Sequence, residues 1–313
     1  MNNTNQMTEQ EKLKKLHKQR LIREDITGML MASGPFIGYL LFSLLPMAIS
    51  LVLSFTNLYG FDLFSATFAG FDNYVRIFKM DLFYTSIGNT LMYCLNVPLN
   101  LVISTYLANL LSKKIPGSNF VRTVLFIPAV CSGVAVTLMW AWIFDYQFGA
   151  LNVGLNALGL PSVGWISTEE MFMNSALIIT VWMYGTNIVM MQTAIANVDV
   201  SLKEAARIDG ASERRVFFSV TLPGITPTLF YLLITHFVRA ISEVGLMQII
   251  TNNGVGPGFK ALTISYFMYR MGFVNISNEG LGLASALSWI MGIALIIFTR
   301  INFWLSEKWV CYD

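Results

Sequence analysis

Six long stretches of this chain contain no Asp, Glu, Lys or Arg: residues 26–61, 82–112, 123–144, 171–198, 216–238 and 280–299. Each holds the roughly 17–20 residues that an α-helix needs to cross about 30 Å of hydrocarbon. In that medium every backbone polar group must be satisfied inside its own segment, so helices are the natural spanning element. A mean hydropathy of +0.60, with 23 Phe, 17 Met and 7 Trp, excludes a chain with an ordinary water-facing surface. The expected fold class is all-α, a polytopic membrane protein with six transmembrane helices. They are expected near 29–55, 86–111, 121–144, 172–197, 225–249 and 281–304.

The basic residues set an orientation. Alternate loops hold Lys12, Lys14, Lys15, Lys18, Arg20 and Arg23; Lys113, Lys114 and Arg122; Lys203, Arg207, Arg214 and Arg215; and Arg300 and Lys308. The other loops hold Arg76, Lys79, Lys260 and Arg270, so the count is 15 against 4, with Arg239 left inside a span. Positive charge stays on the cytoplasmic side, which predicts both termini inside. Topology thus accounts for the basic residues, and nothing in the net charge of +2 calls for nucleic acid. The stretch Glu11–Asp25 reads either as a solvated, topology-setting tail or as a short surface helix. With no apolar core before residue 26 and no small-residue cleavage site, the first span is expected to be retained. Cys94, Cys131 and Cys311 are scattered and read as small apolar residues, not a disulfide set.

Outer loops are expected at 56–85, 145–171 and 250–280. The run Asn252-Asn253-Gly254-Val255-Gly256-Pro257-Gly258 is a turn and not a phosphate loop, because no Gly-Lys-Ser/Thr follows it. Ser201 to Asp209 are good helix formers stopped by Gly210, and Ser212 is a plausible N-cap for a second short helix with Glu213 in its first turn. Nine residues make a rod of roughly 13 Å, too short to span. This helix-turn-helix reads either as a structural elbow or as a surface offered to another protein, with Ala205 and Ala206 small and Glu204 and Asp209 acidic.

Glu204-Ala205-Ala206, Gly210 and Thr221-Leu222-Pro223 resemble the EAA signature of binding-protein-dependent ABC importer permeases. The string Glu204 to Ala211 is similar to the carbohydrate-uptake branch, the maltose-transporter-type sugar permeases. Further pieces fall in the same order: Gly70 to Tyr74, Asn89-Thr90, Arg122-Thr123 with Phe126-Ile127-Pro128, Gly149 to Asn152, and Trp165. The likeness covers about residues 30–305; Gly254-Val255-Gly256-Pro257 departs from the family's Gly-Gly-Pro. The resemblance implies a type I importer permease of the bacterial cytoplasmic membrane. It implies a basic tail at 1–25, a first helix and outer loop at 26–85, and a permease core at 86–305 with its coupling loop at 198–223. Glu204, Ala205, Ala206, Asp209 and Gly210 would then dock in a cytoplasmic ATPase dimer. A second homologous permease subunit, an extracytoplasmic solute-binding protein and membrane lipid are the other implied partners. ATP and magnesium would belong to the ATPase, and no cofactor or metal to this chain.

Charged groups at mid-bilayer are costly unless they face partners or a wet cavity. His236, Arg239 and Glu243, with Ala240, fall on one face of the fifth span at 100° per residue. They read either as a substrate path or as an Arg239–Glu243 i,i+4 pair. Counted from Glu204, the resemblance places His236, Ala240 and Glu243, and Trp182, Met183 and Thr186 on span four, where the maltose-type permeases contact sugar. Asn89, Tyr93, Asn96 and Asn100 form a second polar stripe on span two, serving either the path or interhelical hydrogen bonds. These side chains suit sugar hydroxyls and ring faces, and the arginine would also suit an anionic substrate such as a uronide.

Two His residues, no HExxH and no Walker A leave no assembled catalytic set, so no enzyme is expected. The rival functions are import of a non-sugar solute (amino acid, polyamine or glycerol phosphate) and ion-coupled secondary transport.

Overall fold

The computed structural model describes residues 9–62, 65–113, 116–275 and 280–311. Residues 1–8 of the basic tail and Lys114 lie outside them. Helix α1 (Glu9–Tyr39) begins well before the first charge-free stretch, passes through a π-helical turn at Leu40–Leu44 and continues as α2 (Leu45–Ser54). The basic segment is thus the first part of one long helix, with Arg20 and Glu24 paired at 2.8 Å.

The loop that follows departs from all-α. Two short strands, β1 (Thr56–Asn57) and β2 (Thr67–Phe68), pair antiparallel with Thr56 opposite Phe68. Asn73, at the start of α3 (Asp72–Phe78), fixes them: its buried amide donates to the Ser54 and Thr56 carbonyls at 3.0 and 2.9 Å. Burying those carbonyls without a donor would cost about 1–3 kcal/mol each.

The core comprises α4 (Asp81–Cys94), α5 (Asn96–Leu111), α6 (Ser118–Val130), α7 (Gly133–Ile143), α9 (Glu169–Trp182), α10 (Gly185–Asn197), α14 (Thr226–Ile241) and α17 (Gly280–Ser306). Short helices join them: α8 (Ala150–Ala157), α11 (Val200–Ile208), α12 (Glu213–Val216), α13 (Leu222–Gly224), α15 (Gly245–Ile250) and α16 (Ile264–Tyr269). Helices α5, α10 and α14 pack on one another, and α17 packs against α2. Phe172, Ile179, Met191, Met247 and Tyr266 are fully buried at the centre.

Among the described residues three helices are long and apolar enough to cross a membrane, and six when each bent pair is taken as one span. The bends correct the expectation of simple rods. The α6–α7 pair turns by 102°, α9–α10 by 50°, and the segment Glu213–Gly224 meets α14 at 64°. Pro128 inside α6 removes one helical hydrogen bond, and Cys131 is extended where the chain turns. The expected fifth span also stops early, at Ile241, and Ser242 to Val244 separate it from α15.

Candidate functional site

A cavity of about 710 Å³ lies where the helices break. Its wall includes Pro128, Cys131 and Gly133 from the α6–α7 turn, Met183 and Tyr184 from the α9–α10 turn, and Glu243 and Gly245 beyond α14. Breaks expose backbone and aim side chains inward where a straight helix would present only its flank. Of the residues expected on a path, Tyr93, Met183, Thr186, His236, Arg239, Ala240 and Glu243 line this cavity.

The other four do not. Asn89 donates to the Phe259 and Leu262 carbonyls at 2.9 and 3.1 Å, tying the loop before α16 to α4. Its neighbour Thr90 accepts the Ile264 N–H at 2.8 Å. Asn96 donates to the Tyr93 carbonyl and accepts from the Tyr184 hydroxyl at 3.3 Å. Asn100 and Trp182 line a second space of about 380 Å³, with Tyr184 forming part of both walls.

Arg239 and Glu243 do not pair. Among the described residues the ion pairs are Arg20–Glu24 and Arg207–Glu213. The even 100° spacing assumed an unbroken helix, whereas Glu243 sits past its end, where a carboxylate oxygen accepts the Leu246 N–H at 2.8 Å. The break is held from afar: Thr263 donates to the Glu243 carbonyl at 3.2 Å and Ser265 to the Ile241 carbonyl at 2.7 Å.

Asn187 and Tyr184 are cavity residues that sequence reasoning missed. The Asn187 amide donates to Asn100 Oδ1 at 3.4 Å, and its own oxygen lies 2.9 Å from His236 Nε2. His236 Nε2 and the Asn187 amide thus satisfy each other inside the wall. The Tyr184 ring stands edge-on to His236 at 4.8 Å. A buried amide inside a charge-free span was the available signal for Asn187.

Helix α11 stands apart from this core, with none of its residues buried. Asp199 caps it, accepting the Ser201 N–H at 2.8 Å, and these hydrogen bonds hold the Asp199 carboxyl below its usual range. At the other end Gly210 takes φ +79, a left-handed conformation that closes the helix as Ala211 N–H returns to the Ala206 carbonyl. Ser212 caps α12 as expected, accepting from Arg215 N–H at 3.4 Å. Arg207 grips Glu213 through two bonds of 2.7 and 3.3 Å, locking the two helices and lowering the Glu213 carboxyl. Lys203 donates to the Ile195 carbonyl at 2.8 Å, anchoring α11 to the end of α10. Glu204, Ala205, Asp209 and Gly210 are exposed and Ala206 half-buried. Apolar Leu202 and Ile208 are exposed beside them.

A family model described as the binding-protein-dependent transport system inner membrane component matches residues 100–309. The chain is 32% identical over 304 residues to the probable ABC transporter permease protein YesP of Bacillus subtilis (strain 168), covering 95% of this chain and 96% of that one. It is 28% identical over 305 residues to the diacetylchitobiose uptake system permease protein NgcF of Streptomyces coelicolor, covering 93% and 85%. The crystal structure of a bacterial ABC transporter involved in the import of the acidic polysaccharide alginate shares the fold. Its TM-score is 0.81 at 23% identity, covering 93% of this chain and 99% of that one. YesP and NgcF are named as permeases, the role the Glu-Ala-Ala resemblance implies, and not as enzymes. The chain belongs to the family of binding-protein-dependent transport system inner membrane components.

Proposed function

We propose that this chain is the membrane-spanning permease subunit of an ATP-driven, binding-protein-dependent importer of a sugar or oligosaccharide. In this reading it crosses the bacterial cytoplasmic membrane six times with both termini inside. The tail is 1–25, the first helix and outer loop are 26–85, and the permease core is 86–305. It pairs with a second, homologous permease to form half of the path, and it receives solute from an extracytoplasmic binding protein. Two cytoplasmic ATPase subunits bind ATP and magnesium. Their closure pushes on α11 through Glu204, Ala205, Ala206, Asp209 and Gly210, and the push reaches α10 through the Lys203–Ile195 link. The solute passes along Met183, Thr186, His236, Arg239, Ala240 and Glu243, whose cavity has both hydrogen-bonding and apolar surface. The sugar class is supported by the likeness to the diacetylchitobiose permease.

The observation that carries this reading is α11 itself. A rigidly capped helix bearing Glu-Ala-Ala stands clear of the core with Glu204, Ala205 and Asp209 exposed. Glu204→Arg, made in the complete importer in proteoliposomes, should abolish ATP-driven uptake and leave insertion of the chain intact. Parental uptake by that variant removes the coupling role. Uptake by the purified chain alone, driven by an ion gradient, would make it a secondary transporter.

A further inference from the structure

The cavity wall divides unevenly into donors and acceptors. Thr137, Thr180 and Thr235 each spend the hydroxyl proton on a helix carbonyl, at Gly133, Leu177 and Tyr231, all at 2.8 Å. What these oxygens still offer a ligand is lone pairs. The Glu243 carboxylate is acceptor-only, with one oxygen already on Leu246 N–H, and His236 Nε2 is already engaged by the Asn187 amide. The hydroxyls of Tyr93, Thr186 and Tyr231 can serve either way. Arg239 is the exception. It brings five N–H donors and a full charge to the wall, yet among the described residues it makes no hydrogen bond or ion pair.

Such a wall calls for a molecule rich in hydroxyl donors that also bears one acceptor-only, negatively charged group. Resting on the reading of this cavity as a sugar path, we propose that the transported solute is an acidic saccharide, a uronate-containing sugar whose carboxylate is seated on Arg239. The planar guanidinium meets two carboxylate oxygens with two parallel N–H bonds, a match that neutral hydroxyls do not reproduce. Glu243, the other charged group in the wall, lies more than 4.0 Å from Arg239. Coulomb energy falls inversely with distance, so a carboxylate in contact with Arg239 gains more than it loses to Glu243. Glu243 instead accepts sugar hydroxyls, which orients the acid end toward Arg239. A phosphate ester would bring a second negative charge toward Glu243 and fits less well. A volume of about 710 Å³ lies within the range of about 300–1,000 Å³ usual for small-molecule sites.

The complete importer, reconstituted with its own binding protein and ATP, tests this. The probes are di- and trigalacturonate, the matching neutral galactose oligomers, and sn-glycerol 3-phosphate. The galacturonates should be taken up fastest. Arg239→Gln should lower the acid-to-neutral uptake ratio by about 10- to 100-fold, the scale of a charged hydrogen-bonding group, and Arg239→Lys should restore part of it. Preference of the parent for the neutral oligomers or the phosphate overturns the proposal, as does uptake of none of the probes. Equal loss of every probe in Arg239→Gln also overturns it, because Arg239 would then be pairing with an acid of the second permease. Failure of the importer reading looks different: whatever uptake occurs would then be independent of ATP and indifferent to Glu204→Arg.

Discussion

Replacing Gly185 by alanine tests how closely α6 and α10 must approach for the cavity to keep its shape. A Cβ at this position runs into the Leu125 carbonyl oxygen and lies 2.9 Å from Phe126 Cα. Carbon atoms rest at about 3.5–4.0 Å, so at Phe126 alone the helices must part by roughly 0.6 Å or more. Both obstacles are backbone, and no rotamer change relieves them. Overpacking of this kind costs about 1–3 kcal/mol. The displacement falls on Tyr184 and Thr186, the cavity residues on either side. A positioned group misplaced by about 1 Å can lose on the order of 100-fold in rate, so we expect uptake to fall at least about tenfold. ATP-driven uptake in proteoliposomes reads the second effect, and the midpoint of thermal unfolding in detergent reads the first. Gly154→Ala is the control, since a Cβ there meets nothing within 4 Å. Gly185→Ala with parental uptake and an unshifted midpoint would refute the close approach.

Two further substitutions separate the α11–α12 clasp from the loop fastenings. Glu213→Gln breaks the Arg207 bridge and should speed hydrogen–deuterium exchange across 200–216 at pH 7. The Glu213 carboxyl is held below its usual value, so its contribution is complete above about pH 4.3, the ordinary glutamate value, and is lost as pH falls through the depressed one. The difference between variant and parent should therefore vanish in acid; equal exchange at pH 7 counts against the bridge. Asn89→Ala leaves the Leu262 carbonyl without its donor and the Phe259 carbonyl with only the Leu262 N–H, a loss of about 1–3 kcal/mol for the group left unsatisfied. Limited proteolysis between 252 and 263 should quicken, and an unchanged cleavage rate would show that other contacts hold the loop.

The long apolar helices were legible because charge exclusion is a property of long windows, and the caps of α11 and α12 because they are local. The breaks were not. Gly245 is the one helix-stop signal near Ser242, and Glu243 kept helical spacing with Arg239. What ends α14 there is the pair Thr263 and Ser265, more than twenty positions along the chain, whose hydroxyls occupy the Glu243 and Ile241 carbonyls. A signal so remote has no trace in a helical wheel. The stripe on α4 and α5 misled for a related reason. A polar spacing of 4, 3 and 4 identifies a face but not its neighbour, and Asn89 turned out to meet loop carbonyls while Tyr93 meets the cavity. The family-type strings show the same split. Asn73, Asn89 and Asn152 all fasten loops, and the Asn152 amide reaches the Asp145, Tyr146 and Val163 carbonyls while its oxygen accepts from Trp165. The Glu-Ala-Ala string instead marked an exposed helix face.

The interruption after Ile241 also bears on how this molecule can move. An intact rod swings as one piece or must tear open its own ladder to flex. Here the carbonyls at the interruption already have hydroxyl companions from another segment, so α14 can tilt about its Ile241 end, with the Ser265 bond as pivot, without exposing naked backbone to hydrocarbon. The stretch beyond it, clasped by Thr263 at the Glu243 carbonyl, can stay still meanwhile, and a knee of this kind reshapes a chamber from one side only.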